Sequence, residues 1–283
     1  MTAPVEIDVP GFGRVPVVER ACPACGNDAS GGRSERTDTP PEWPLIRCGG
    51  CGFVFLSRGP DYSALFTNMS WERTTRVEEQ RRAEARPYSY RFSKFTRWRM
   101  RLLPRTRPVD QIIRHARPGN VLDLGCGDGG QLDGLPDHFV PHGIEISTDI
   151  ARRAQEKFSA RGGEAVNDSV LSGLSRFPEG FFSAAVARSY LEHELQPRAV
   201  LDALLPRLAV GGVALVKVPN YGSINRRVMG ARWCGFRFPD HLNYFTPAGL
   251  RDLAESCGFH VKFGFTGRLP TSDNMHAVLR RPG

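Results

Sequence analysis

The chain has 283 residues, 40% hydrophobic and 24% charged, with 7 cysteines and a formal net charge of +8. That apolar share supports a buried core and excludes wholesale disorder, and the length fits one large or two modest domains. No apolar run reaches the ~18–20 residues of a bilayer span, and the N-terminus lacks a basic-then-apolar signal pattern, so a cytoplasmic protein without a membrane partner is expected.

The first signal along the chain is metal chemistry. Cys22-Pro-Ala-Cys25-Gly26 and Cys48-Gly-Gly-Cys51-Gly52 are two C-x2-C pairs with 22 residues between them. Two intervening residues let both sulfurs of a pair reach one ion, and the following glycine permits the positive φ that closes the turn. Four thiolates at this spacing favour a tetrahedral, structural Zn²⁺ with no position left open for catalysis. Two disulfides or four buried thiols are the alternatives, and disulfides fit poorly with a chain lacking a secretion signal. Phe53-Val54-Phe55-Leu56 predicts a strand over the metal site. The expected zinc ribbon, residues 1–60, is too small to hold itself together without its ion.

Residues 61–117 read as a basic helical connector. Between Trp71 and Arg117 there are 14 Lys and Arg against 5 acids, a local charge of +9 that leaves the remainder at −1. Tyr88, Phe92, Phe95, Trp98 and Leu102 recur at helical spacing with arginines between them. An amphipathic packing helix, a lid over a ligand and an RNA-facing surface all fit that pattern, the first two best.

From residue 118 strand and helix patterns alternate. Val121-Leu-Asp-Leu124 predicts a strand, followed at once by Gly125-Cys126-Gly127-Asp128-Gly129-Gly130, a turn whose amides can approach a ligand closely. No Gly-Lys-Ser/Thr follows, which excludes a P-loop, while a dinucleotide-binding fold stays an alternative on the glycines alone. His142 to Ile146 predicts a second strand ending near Glu145, an acid placed to accept hydrogen bonds from ribose hydroxyls. A helix is expected over 148–158, a third strand ending in the polar pair Asn167-Asp168, and a fourth over 181–187. A helix over 197–209 and a fifth strand over 211–218 complete an α/β, Rossmann-like, doubly wound and mostly parallel sheet.

These stretches resemble the class I S-adenosylmethionine-dependent methyltransferases. The matching segments are VLDLGCGDG (121–129), GIEIS (143–147), ND (167–168), FFSAAVARSYLEHE (181–194) and LLPRLAVGGVALVKVPN (204–220). HLNYFTPAGLRDLAESCGF (241–259) is similar to a segment of the ubiquinone-methyltransferase-like branch. The resemblance covers residues 118–283 and implies S-adenosylmethionine as cofactor. It implies that Asp123 and the loop Gly125, Cys126, Gly127 and Gly129 hold the methionine moiety. It places Glu145 and Ile146 at the ribose, Asn167, Asp168 and Ser169 along the adenine, and Arg188 to Tyr190 closing the site.

His193, His241 and Tyr244 are the candidates to accept a proton from the acceptor or contact it. In ubiquinone O-methyltransferases the corresponding segment resembles E-x-x-E-H, a set able to hold a divalent ion. Here it reads Ser189-x-x-Glu192-His193, lacking the first acid, so no catalytic ion is expected. Trp233, Phe236 and Phe238 are expected to wall an apolar pocket. The expected reaction is methyl transfer to an O or N atom of a small molecule, a specialised metabolite or sugar-like precursor. A ribosomal RNA methyltransferase using the ribbon and basic helices is the rival, and a non-catalytic interaction module the remote alternative.

Overall fold

The computed structural model describes residues 5–9, 13–35, 39–62, 107–264 and 272–283. Most of the basic connector, with its aromatic positions 88–102, lies outside the described residues. Among those described, no helix is long and apolar enough to cross a membrane.

Strands β1 (Val5–Val9) and β2 (Gly13–Glu19) form an antiparallel hairpin. Then β3 (Arg33–Ser34), β4 (Leu45–Arg47) and β5 (Val54–Leu56) run antiparallel beside the cysteine turns. β6 (Arg58–Pro60) returns to pair with β2. β5 matches the strand expected over the cysteine pairs. Gly26 and Gly52 take φ of 77° and 72°, as the turn closure requires.

The larger unit begins with α1 (Pro108–His115) and β7 (Gly119–Leu124). It continues through β8 (Phe139–Glu145), α2 (Thr148–Ser159), β9 (Ala165–Asn167), α3 (Val170–Leu174) and β10 (Phe182–Arg188). After α4 (Pro197–Arg207) come β11 (Leu208–Pro219), α5 (Ile224–Met229), β12 (Asn243–Tyr244) and α6 (Pro247–Ser256). β13 (His260–Phe263) and β14 (Asn274–Arg280) close the chain.

The seven-stranded sheet has the order β13-β14-β11-β10-β7-β8-β9. The five strands from β11 to β9 are parallel, as expected, and β14 and β13 add an antiparallel edge. β7 is buried on both faces, so Val121, Leu122 and Leu124 are all apolar rather than alternating, with the buried Asp123 the one polar side chain between them. α2 presents Ile150, Ala151, Ala154 and Phe158 to the core at helical spacing. Thr246 caps α6 by accepting from the Gly249 N–H at 3.0 Å, with Pro247 in the first turn.

β12 belongs to neither edge of this large sheet. It pairs with β5, so the sheet beside the cysteine turns runs β12-β5-β4-β3. Beneath that seam Val15, Val17, Trp43 and Leu56 pack in one buried cluster with Tyr221, Trp233, Phe236 and Tyr244. Trp233 and Phe236, with the partly buried Phe238 packed against them, are therefore spent on that shared core rather than on walling a ligand pocket. The sequence pattern marked them as apolar but carried no information on which surface they would cover.

Arg20 bolts the two parts together. Its Nη1 donates to the carbonyls of Leu56 (2.9 Å) and Leu242 (3.2 Å). Its Nη2 donates to the Leu195 carbonyl (2.9 Å) and to Asn243 Oδ1 (2.8 Å). Burial lowers the guanidinium pKa to about 10, with Glu194 opposing the shift, so the charge survives at neutral pH. Removing the fork strands several buried acceptors at about 1–3 kcal/mol each. Arg20→Ala should therefore destabilise the protein by about 3 kcal/mol or more in urea unfolding, and Arg20→Lys, lacking the planar fork, should recover only part of it.

Candidate active site

A cavity of about 830 Å³ opens where the parallel strands end. The chain winds from β7 outward through β8 and β9, then crosses back to β10 on the other side of β7, and a ligand crevice forms at such a switch point. Gly125 and Gly127 follow β7, Glu145 ends β8, Asp168 follows β9 and Arg188 ends β10, all of them lining the cavity.

The glycines have distinct roles. Gly125 sits at φ 67°, and a Cβ there would lie 2.9 Å from the Tyr190 ring. Gly129, at φ 80°, leaves room for Phe158, which a Cβ would approach to 2.8 Å. Gly127, at φ 55°, faces open space, so its backbone is accessible to a ligand. Glu145 organises this loop: its Oε2 accepts from the Gly127 N–H (3.0 Å) and its Oε1 from the Ser147 N–H (2.9 Å).

Asp123 lies beneath the loop, fully buried, and neither carboxyl oxygen has a hydrogen-bond partner among the described residues. Burial raises its pKa well above the usual carboxylate range, and the Glu145 charge adds to that, with Arg188 opposing. Leaving both oxygens orphaned is costly unless a bound donor completes them, and an ammonium group suits the position. An open glycine turn, an orphaned acid under it and a strand-end acid 18 residues beyond Gly127 fit an amino-acid-bearing nucleoside.

Comparison with known proteins gives this arrangement its family. Residues 88–262 match the model of a family described as a methyltransferase domain. The chain belongs to the methyltransferase-domain family. It is 27% identical over 149 residues to a ubiquinone biosynthesis O-methyltransferase of Psychrobacter arcticus, covering 49% of this chain and 58% of that one. It is 30% identical over 164 residues to a trans-aconitate 2-methyltransferase of Rhodopseudomonas palustris, covering 54% and 60%. The chain thus spans about three-fifths of the length of the curated relatives it matches. Among solved structures, an S-adenosylmethionine-dependent methyltransferase from Archaeoglobus fulgidus aligns at 17% identity and a TM-score of 0.48, covering 68% of this chain and 99% of that one.

Within the methyltransferase fold the expected site residues fall into two groups. Gly125, Cys126, Gly127, Glu145, Ile146, Asp168, Ser169, Arg188 and His193 line the cavity. Asp123, Gly129, Asn167, His241 and Tyr244 are not part of that lining. Asn167 acts as a latch: its Nδ2 donates to the carbonyls of Glu145 and Ile146 (both 3.0 Å), and Thr148 Oγ1 donates to its Oδ1 (2.9 Å). Ser169 caps α3 by accepting from the Ser172 N–H at 3.3 Å. Tyr244 packs its ring against Tyr221 and Phe236 in the shared core.

The folded chain brings His193 and His241 together, with ring centroids 4.8 Å apart. His193 Nδ1 donates to the Asp240 carbonyl (2.8 Å) and faces the Asp240 carboxylate (3.2 Å). His241 Nδ1 donates to the Gly235 carbonyl (2.8 Å), so its Nε2 carries the lone pair. Burial alone would depress the His193 pKa, but the Asp240 charge and hydrogen bond outweigh it and raise the value to about 9. Burial, joined by the His193 charge, depresses His241 to about 3. Burial opposes the Asp240 charge, yet His193 holds that carboxyl well below the usual range.

Tyr190, expected to close the site, and Tyr62, which the sequence reading passed over, complete the wall. Tyr62 and Tyr190 each donate a short hydrogen bond to Glu194, which is 4% exposed beside the cavity. Tyr62 stands far from Glu194 in sequence, and no local spacing links them. Ser189, in the position where the related E-x-x-E-H segment begins, takes a φ of 53°, unusual for a residue with a Cβ. Glu192, His193 and His241 place donor atoms within 4.8 Å of one another, a set that can hold a divalent ion without an acid at 189.

The ion pair carries a pH signature. His193 is raised above its ordinary 6.5, so its stabilisation is full below that pH and lost as pH rises through about 9. Asp240 is depressed, so its share is present above 3.8 and lost on acidification. An NMR titration should place the His193 midpoint near 9, and Asp240→Asn should lower it by at least one unit.

Proposed function

We propose that the protein transfers the methyl group of S-adenosylmethionine to an O or N atom of a small molecule, a specialised metabolite or sugar-like precursor. The observation that carries this reading is one cavity lined both by the open glycine turn, Glu145 and Asp168 and by His193, Asp240 and Glu194. Its volume, about 830 Å³, lies in the range of small-ligand sites and suits a cofactor with a compact acceptor. The rival RNA reading rests on the basic stretch between Trp71 and Arg117.

S-adenosylmethionine supplies a methyl group already activated by the positive charge on sulfur. In this reading the Gly125–Gly127 turn and Asp123 hold the amino-acid end, and Glu145 receives the ribose hydroxyls. Asp168 and Ser169 line the base. What remains for the protein is to aim the acceptor, exclude water and remove a proton where the acceptor carries one. His193 lines the cavity with Nδ1 tied to Asp240, which leaves Nε2 to take that proton. Because Asp240 raises the His193 pKa to about 9, the free base grows in as pH rises. kcat/KM should therefore climb toward pH 9, and Asp240→Asn should move that limb to lower pH.

The same proposal assigns Cys22, Cys25, Cys48 and Cys51 to a structural Zn²⁺. Their sulfurs lie within 4.8 Å of one another, and the amides of Ala24 and Cys25 hydrogen-bond the Cys22 sulfur while those of Gly50 and Cys51 do the same for Cys48. One equivalent of zinc should be found by elemental analysis. Its removal by a chelator should lower the melting temperature, because β5 carries β12.

Two experiments test the reading. S-adenosylhomocysteine release over a panel of hydroxylated and aminated metabolites should exceed release with ribosomal RNA, and the reverse result would favour the rival. Glu145→Ala should weaken cofactor binding by roughly 10- to 100-fold in calorimetry, and an unchanged affinity would sink the ribose assignment.

A further inference from the structure

Glu194 joins two parts of the chain, and its surroundings fix which way the hydrogen bonds run. Its Oε1 accepts from the Tyr62 hydroxyl and from the Gln196 N–H at 2.9 Å, and its Oε2 accepts from the Tyr190 hydroxyl. Tyr62 is delivered by the N-terminal module just past β6, where the Asp61 N–H donates to the Pro16 carbonyl at 2.9 Å. Tyr190 and Glu194 belong to the turn after β10, which the His193 N–H closes on the Tyr190 carbonyl at 2.9 Å. All three side chains line the cofactor cavity.

A phenol has one hydrogen to donate, and here both hydrogens go to Glu194. An ionised carboxylate only accepts. This stretch of wall therefore presents lone pairs and offers a ligand no donor. Arg20 lies within electrostatic reach of Glu194 and offsets part of its charge, but its fork is bonded to Leu56, Leu195, Leu242 and Asn243. Burying an acid with two hydroxyls costs more than apolar packing would, so the seam between the modules does not by itself call for them. Their position points to a ligand. The Tyr190 ring lies against the turn at Gly125, where a Cβ would come within 2.9 Å of it. In the methyl-transfer reading that turn holds the amino-acid end of the cofactor, a short methylene chain away from the sulfonium.

We infer that Tyr62, Tyr190 and Glu194 form an acceptor-only wall that recognises the positive sulfonium and its polarised methyl hydrogens, and so favours S-adenosylmethionine over S-adenosylhomocysteine. This rests on the methyl-transfer reading above and adds to it a residue of the N-terminal module. The neutral thioether of the product has neither the charge nor the methyl hydrogens, so the wall loosens its hold once the methyl has left. Attraction to a charge that fades in the transition state favours the bound donor rather than the reaction step. These residues therefore set donor choice and product release.

The test is calorimetry on the full-length protein with S-adenosylmethionine, S-adenosylhomocysteine and sinefungin, which carries an ammonium group where the methyl sulfonium stands. Glu194→Gln should weaken S-adenosylmethionine and sinefungin about tenfold, and Tyr62→Phe about threefold, with S-adenosylhomocysteine held within about twofold in both. S-adenosylhomocysteine thus reports an intact crevice. If Glu194→Gln loses that ligand as well, the variant has lost the crevice, and Tyr62→Phe, which keeps the ring, decides. Equal weakening of all three ligands by Tyr62→Phe would make the wall a structural prop, and three unchanged affinities would make it idle; either result overturns the inference while the methyl-transfer reading stands. If the parent protein itself fails to bind S-adenosylhomocysteine, the methyl-transfer reading falls and the inference falls with it.

Discussion

The arrangement of the site depends on how residues 240–244 are held. Asn243 and Tyr244 are taken from the larger unit into the sheet beside the cysteine turns, and Arg20 reaches across to four acceptors around them. Further bonds fix the same segment from the catalytic side. Asn243 Nδ2 donates to the carbonyls of Leu191 and Glu194, and the Leu242 and Asn243 amides donate to the Glu192 carbonyl. Asp240 and His241 immediately precede this clamp and thereby meet His193. The N-terminal module thus acts on the site by fixing a strand, and its end at Pro60 also reaches the cavity wall.

Burial then decides the charge states. Two histidines in van der Waals reach cannot both hold a proton cheaply, and the Asp240 carboxylate pairs directly with His193. His193 takes the charge and His241 stays neutral with its tautomer set by Gly235. His142 shows the simpler case: packed among Phe177, Phe181 and Phe182, it has its pKa lowered by burial to about 4. The same residue type serves as a charged site group in one place and as neutral packing in another, and only the neighbours differ.

The legible parts of the sequence were those governed by local rules. The glycine turn after β7, the acid at the end of β8, the five parallel strands and the closed cysteine turns were all readable. Each rests on spacing within a strand or turn, where period and positive-φ demands act over a few residues. The β14 strand was not among those expected, although buried Met275, Ala277 and Leu279 alternate in it with less buried His276, Val278 and Arg280. Its pairing partner was not legible either, because strand order is set by long-range packing.

What the sequence determined by itself was therefore the kind of chemistry: a nucleoside crevice at the end of β7 and β8 and a four-cysteine cluster near the N-terminus. Tertiary structure decided which residues share that chemistry. It moved Trp233, Phe236 and Tyr244 into the core under the seam and brought Tyr62 to Glu194. It also laid the Tyr190 ring against the glycine turn. The physical reason is that hydrogen-bond registers and shared burial join residues dozens of positions apart, and no local periodicity records those pairings.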